Sequence, residues 1–284
     1  MRKPFLKFLL FLFVFSLGFL GIKDFCQKKT RGFSLQKAIS KEPFSQKNNS
    51  CTLSKEELVS LQKILSQPYH FFTRGLQCYV FVSEDDRYIL KLFRWKQMET
   101  PFWTRYLPSF LTQKMLTEKN TKKEHDFASY KIAFEELKEE TGTLFLHLAK
   151  TNYLNTSLCL FDPLNIRHDL PSDSIEFILQ KKADLFLPYL EAHRQTDPKE
   201  LHRFFGKLKT VLEKRIEKQI CDSDISLEYN MGVLNGEPVL FDIGNLTKGS
   251  TTLTQEARLV LDWLKEHAPE FSSFLDEPSQ QEQK

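Results

Sequence analysis

The sequence lacks an excess of either charge, with 40 basic residues against 37 acidic ones and a formal net charge of +3. So even a mixture excludes the basic footprint of a nucleic-acid binder, and no nucleic-acid partner is expected. The sequence also lacks paired cysteines. Cys26, Cys51, Cys78, Cys159 and Cys221 are odd in number and widely spaced, with no Cys-x-x-Cys pair and no histidine at zinc spacing. That argues against a disulfide scaffold and against a structural zinc site. No internal repeat occurs, which excludes a solenoid. Phenylalanine is abundant, at 26 residues, many of them in the first 25 positions and others scattered along the chain, some in pairs. They read as membrane-facing and core residues rather than as stacking platforms for bases.

What the chain does have is a long apolar run at its start. Phe5 to Ile22 is interrupted only by Lys7 and Ser16, and as a helix it would nearly cross a hydrocarbon core of ~30 Å. It is hydrophobic on every face, unlike a buried amphipathic helix. Residues 1–22 are therefore expected to insert into a membrane through residues 5–22, as a single-pass anchor or as a signal peptide. Ser16-Leu17-Gly18 offers a small-x-small pattern to a peptidase, whereas the apolar run continuing through Phe19 to Ile22 favours retention. Lys23, Lys28, Lys29, Arg31, Lys37 and Lys41 follow the segment, against Arg2, Lys3 and Lys7 before it. This excess points to a cytoplasmic soluble domain.

Residues 23–52 are rich in Lys, Gln, Ser and Asn without apolar periodicity, and read as a flexible tether. A folded domain is expected over 53–275 and a polar, disordered tail over 276–284. Ser54 precedes two glutamates and then Leu58, Leu61, Ile64 and Leu65 at helical spacing, with Pro68 as the stop. Residues 77–82 and 87–93 read as a hairpin, 121–140 as a charged helix with Phe127, Tyr130, Phe134 and Leu137 on one face, and 199–220 as another helix. Strands are expected over 157–161 and 175–180. Asn235-Gly236 suits a two-residue turn with positive φ at both positions, between strands at 231–234 and 239–241. A last helix covers 255–267.

Three stretches carry chemistry. Lys91 lies in a strand flanked by Ile89, Leu90, Leu92 and Phe93, where an ammonium needs a partner. Upstream runs Thr73-Arg74-Gly75-Leu76-Gln77-Cys78-Tyr79-Val80-Phe81, and far downstream lies Asp222 to Asn230, then a hairpin, then Phe241-Asp242-Ile243-Gly244. Asn230 and Asp242 are one hairpin apart, which brings an amide oxygen and a carboxylate together at its open end.

Together these stretches resemble the protein-kinase and aminoglycoside-phosphotransferase superfamily. The resemblance spans about residues 70 to 275 and implies an α+β, two-lobed, protein-kinase-like fold with a reduced C-terminal lobe, preceded here by an N-terminal transmembrane helix. It implies Gly75 and Val80 as nucleotide contacts, Lys91 on the phosphates held by Glu124 of the charged helix, Asn230 and Asp242 as Mg²⁺ ligands, and Asp224 as the base toward a hydroxyl acceptor. The implied cofactors are Mg²⁺ and ATP, and the implied activity is an ATP-dependent phosphotransferase with an unknown acceptor.

The sequence also departs from that pattern. Gly75 is the one glycine kept of three in the phosphate loop, and Asp224 stands six residues before Asn230 where the family has five. Two other readings stay open: a pseudokinase that serves as a nucleotide- or protein-binding module, and a membrane-tethered interaction protein without a nucleotide site.

Overall fold

The computed structural model describes residues 2–40, 53–98, 101, 104, 106–194, 198–222 and 226–272. The chain opens with α1 (Arg2–Lys29) and a short α2 (Leu35–Ala38), then α3 (Lys55–Leu65). Next come β1 (Pro68–Arg74), β2 (Cys78–Ser83), β3 (Tyr88–Phe93), α4 (Trp95–Met98), α5 (Ser109–Glu135), α6 (Lys138–Thr141), β4 (Thr143–His147), β5 (Ser157–Phe161), β6 (Arg167–Pro171) and β7 (Phe177–Lys181). The second half holds β8 (Asp184–Leu185), α7 (Phe186–Arg194), α8 (Pro198–Glu217), β9 (Ile220–Asp222), α9 (Leu227–Asn230), β10 (Met231–Leu234), β11 (Glu237–Leu240), β12 (Leu246–Lys248) and α10 (Leu253–His267).

Seven strands form one sheet in the order β4-β7-β3-β2-β1-β5-β6. The sheet is mixed, because β1 pairs parallel to β5 while its other neighbours run antiparallel. Side chains alternate between faces along each strand, so the register sorts them into rows. Phe81, Leu90, Leu179 and Phe145 form one row, and Val80, Lys91, Ile178 and Leu146 form the next on the opposite face. The first face is sealed by an apolar cluster that includes Leu61 and Leu65 of α3. The second packs against α5 through Phe93, Phe127, Tyr130, Ala133 and Leu137, and the same cluster takes in Ile220, Ile243 and Leu246 from the second half of the chain. A third cluster joins α7, α8, β10, β11 and α10. The β10–β11 turn has Asn235 at φ 54° and Gly236 at φ 77°, as its two residues require.

The region expected as a tether differs. Residues 23–29 continue α1, and residues 30–39 pack on the sheet. Phe33 is buried in edge-on contact with Tyr79 (5.1 Å between ring centroids) and Phe81 (5.5 Å). Gly32, at φ +73°, supplies the left-handed bend that turns the chain from helix to sheet. Its carbonyl accepts from the Tyr79 hydroxyl at 3.0 Å. Phe33, Leu35, Ala38 and Ile39 fall in too short a stretch to set up a period, which is why the pattern does not announce this contact. Residues 41–52 and 276–284 lie outside the described residues.

A second difference concerns α5, which starts at Ser109 rather than near residue 121 and ends at Glu135. Its first turns leave Phe110 and Leu111 exposed, so no buried stripe marks them in the sequence. The helix α1 is long and apolar enough to span a membrane, and none of its stretch Leu10–Lys29 is buried against the rest of the chain.

Replacing the buried Phe33 by alanine is expected to destabilise the chain by about 3–5 kcal/mol, the usual cost of emptying an aromatic core site. Urea unfolding of the full chain in detergent measures it. A change within experimental error would show that residues 30–39 do not seal the sheet.

Candidate active site

Lys91 stands at the centre of β3, partly buried, and its position in the sheet points it at the second half of the chain. Its Nζ donates to the carbonyl of Phe241 at 2.6 Å, across 150 residues of sequence. Burial lowers the ammonium's pKa, and the nearby charge of Asp242 works against that. No ion pair joins Lys91 to a carboxylate among the described residues. A cation in this position has one neutral acceptor and a loose electrostatic partner, so it retains capacity for an anion.

The hairpin β10–β11 does what its spacing implies for the backbone. The Asn230 carbonyl accepts from the amides of Phe241 (2.9 Å) and Asp242 (3.3 Å), closing the open end. Asp242 is exposed, and its Oδ1 accepts from the Gly244 amide at 3.2 Å. Asn230 is buried and lines a small cavity with Arg215, Asp222 and Ser226. Val80 shares a cross-strand pair with Lys91 and so lies on the same sheet face. Asp224 lies outside the described residues.

Glu124 is not in the cluster. It is exposed, and no ion pair joins it to Lys91 among the described residues. The carboxylate that α5 buries here is Asp126, 1% exposed, with Oδ2 lacking any hydrogen-bond partner. Two residues rotate a helix by about 200°, so Glu124 projects from nearly the opposite side. Phe127 misleads because it sits at the edge of the buried stripe, whose middle is Asp126, Tyr130, Ala133 and Leu137. Burial raises the Asp126 carboxyl pKa, the charge of Asp242 adds to this, and Lys122 and His125 oppose it.

Other residues that the sequence does not flag complete the arrangement. Ser129, one turn on from Asp126, donates its hydroxyl to Ile243 O at 2.6 Å and accepts from the Leu246 amide at 2.7 Å. The Tyr130 hydroxyl donates to Gln77 Oε1 at 2.6 Å. Gln77 lies against Gly244, where a Cβ would come within 2.5 Å of Oε1, so a larger residue there would displace the Gln77 side chain from Tyr130. Gly75 is different: a Cβ there would meet only Cys78 O, at 3.9 Å. Arg94 Nη1 grips the carbonyls of Gly75 (2.6 Å) and Leu76 (3.1 Å), which fixes the β1–β2 turn. Cys78 beneath it is inert, because burial pushes its thiol up to about 12.

Asp222 is held elsewhere. It forms an ion pair with Arg215 (3.6 Å), which also bonds Glu256, and all three side chains are nearly fully buried. Asp222 therefore braces β9 against α8 and α10 and does not face an acceptor.

No family model and no curated protein matches the chain. Among solved structures it is similar to WbdD. A 2.2 Å crystal structure of WbdD is 13% identical, with a TM-score of 0.39 over 69% of this chain and 37% of that one. Monomeric WbdD is 15% identical, with a TM-score of 0.37 over 68% and 38%. A structure titled as the bifunctional kinase-methyltransferase WbdD is 12% identical, with a TM-score of 0.37 over 73% and 44%. This chain thus spans about two fifths of the WbdD chains. A likeness with TM-scores this low bears on neither activity nor substrate.

Because the Asp126 carboxyl titrates higher in the folded chain, the folded state holds this proton to higher pH than the unfolded state does. The linked stabilisation is complete below the ordinary aspartate value of about 3.9 and is lost as pH rises through the raised folded value. Asp126→Asn should therefore melt above the wild type by a margin that grows as pH rises above the ordinary aspartate value of about 3.9. Parallel melting curves that keep a constant gap would show that Asp126 is not desolvated.

Proposed function

We propose that the chain is a kinase-like phosphotransferase domain, held at a membrane by α1, that binds a magnesium nucleotide between its sheet half and its helical half. The observation that carries this reading is Lys91: a partly buried ammonium with one carbonyl acceptor, set beside the exposed carboxylate of Asp242. Phosphate oxygens would give it the charged partner it lacks.

The donor set suits the implied cofactors. Asn230 and Asp242 would supply an amide oxygen and a carboxylate, the first buried and the second exposed. Few protein ligands is the usual arrangement for Mg²⁺, which keeps water and phosphate in its shell. When bound, the ion would neutralise charge on the phosphates. Lys91 would hold the phosphates, Val80 would pack on the base, and the backbone at Gly75 would cover them. Glu124 would take no part, and Asp126, with its orphan oxygen on α5, would stand as a buried carboxyl that feels the charge of Asp242. Asp224 remains the base that the resemblance implies, and the engagement of Asp222 with Arg215 supports it over Asp222.

A specific observation also favours the pseudokinase reading. Gln77 reaches from the β1–β2 turn onto Gly244 and Tyr130, and Gly75 makes no close approach that demands glycine. A loop fastened in this way is poorly placed to follow a transferring phosphate.

With nucleotide at about 100 times its dissociation constant, magnesium-ATP should stabilise the chain by about 2.7 kcal/mol, read as a rise in melting temperature. Lys91→Met and Asp242→Asn should each abolish the rise. Release of phosphate to a hydroxyl acceptor would establish the transferase, and binding without turnover would establish the pseudokinase. No rise with any nucleotide in the wild type would sink both.

A further inference from the structure

Five cations gather where α1 meets the sheet. Arg31 Nη1 donates to Phe72 O at 3.2 Å, Lys37 Nζ donates to Gly32 O at 3.1 Å, and Arg74 packs its guanidinium against Gly32. Arg94 holds the β1–β2 turn beside them, and Lys37 feels the charges of Lys96, Arg94 and Arg74. None of the five forms an ion pair with a carboxylate among the described residues. Several surface cations elsewhere are matched, as in Lys182 with Asp86, Lys207 with Glu237 and Arg167 with Asp169. A patch of like charge with no paired acid among the described residues attracts anions from outside the chain.

We propose that this patch is a docking surface for the anionic headgroups of a phospholipid bilayer. Its position selects that occupant. The apolar α1, exposed over Leu10–Lys29, ends at Lys29, and only three residues separate it from the buried Phe33. The joint is stiff, since the Gly32 amide bonds back to Gln27 O at 2.9 Å and Tyr79 holds the Gly32 carbonyl. An inserted α1 would thus hold the patch within about one Debye length of the headgroups, ~8 Å at physiological salt. Apolar side chains are interleaved with the charges, as an interface favours. Phe72, turned out by an irregularity in the β1–β2 register, is 50% exposed, and Leu76 at the tip of that turn is 84% exposed. A soluble polyanion would have no use for either.

The proposal rests on α1 residing in the membrane and is independent of nucleotide binding. The test uses the full chain in nanodiscs of neutral phosphatidylcholine, or of phosphatidylcholine with phosphatidylglycerol. Acylation rates of Lys37 and Lys96 are read by mass spectrometry against Lys209 of α8. In anionic discs both lysines should react roughly fivefold more slowly, the attraction of one basic residue for such a surface, and Arg74→Gln should reduce the protection at both. Salt at about 1 M, where the Debye length falls to ~3 Å, should restore the rates. Equal rates in the two discs would overturn the proposal, as would protection already present in neutral discs, which would mean that the chain covers its own patch. Equal protection by inorganic phosphate in detergent would also overturn it, by assigning the patch to a free anion. Alkaline extraction separates the two levels: loss of the chain from the bilayer removes the anchor itself, whereas a retained chain with equal rates removes only the docking surface.

Discussion

One buried hydroxyl ties the two halves of the molecule together. Ser129 on α5 bonds the carbonyl of Ile243 and the amide of Leu246, so the turn after Asp242 is fastened to the helix that covers the sheet. Without it a backbone donor and a backbone acceptor would stay buried and unsatisfied, at about 1–3 kcal/mol each. The consequences spread from there. Asp126 and Tyr130, on the same face of α5, are brought to Asp242 and to Gln77, and Lys91 finds the Phe241 carbonyl because that segment is held in place.

The charges of the molecule fall into two groups by what surrounds them. Arg215 is buried between Asp222 and Glu256, which brace α8, β9 and α10 and leave no ion free for chemistry. Such a group is costly to break and of modest net value when intact. Lys91 and Asp126 are different, since each has lost water without gaining a full partner. That imbalance is what separates a candidate site from a structural brace.

The outer face of the sheet shows how the N-terminal segment is integrated with the domain. Phe33 and Ala38, with α3, occupy the same apolar cluster as Tyr79, Phe81 and Leu90. The end of α1 is therefore joined through Phe33 to the cluster that holds the strands β2 and β3.

Strong local signals were legible in the sequence. The N-cap at Ser54, the hairpin joined by Asn235-Gly236 and the helices α8 and α10 follow from capping, turn chemistry and period, all short-range physics. The apolar character of α1 belongs with them. The strands β1, β4 and β6 were not legible, because pairing with distant partners rather than propensity makes them strands. Lys91, Asn230 and Asp242 could be proposed from motif spacing, but the carboxylate of α5 could not: Glu124 and Asp126 differ by a helix rotation that only packing fixes. The sequence by itself determined the helices that carry a cap or a sustained apolar period, the Asn235-Gly236 turn and which residues bear charge. Tertiary structure alone decided which charges lose water and which meet, because desolvation and contact across 150 residues are properties of the folded chain.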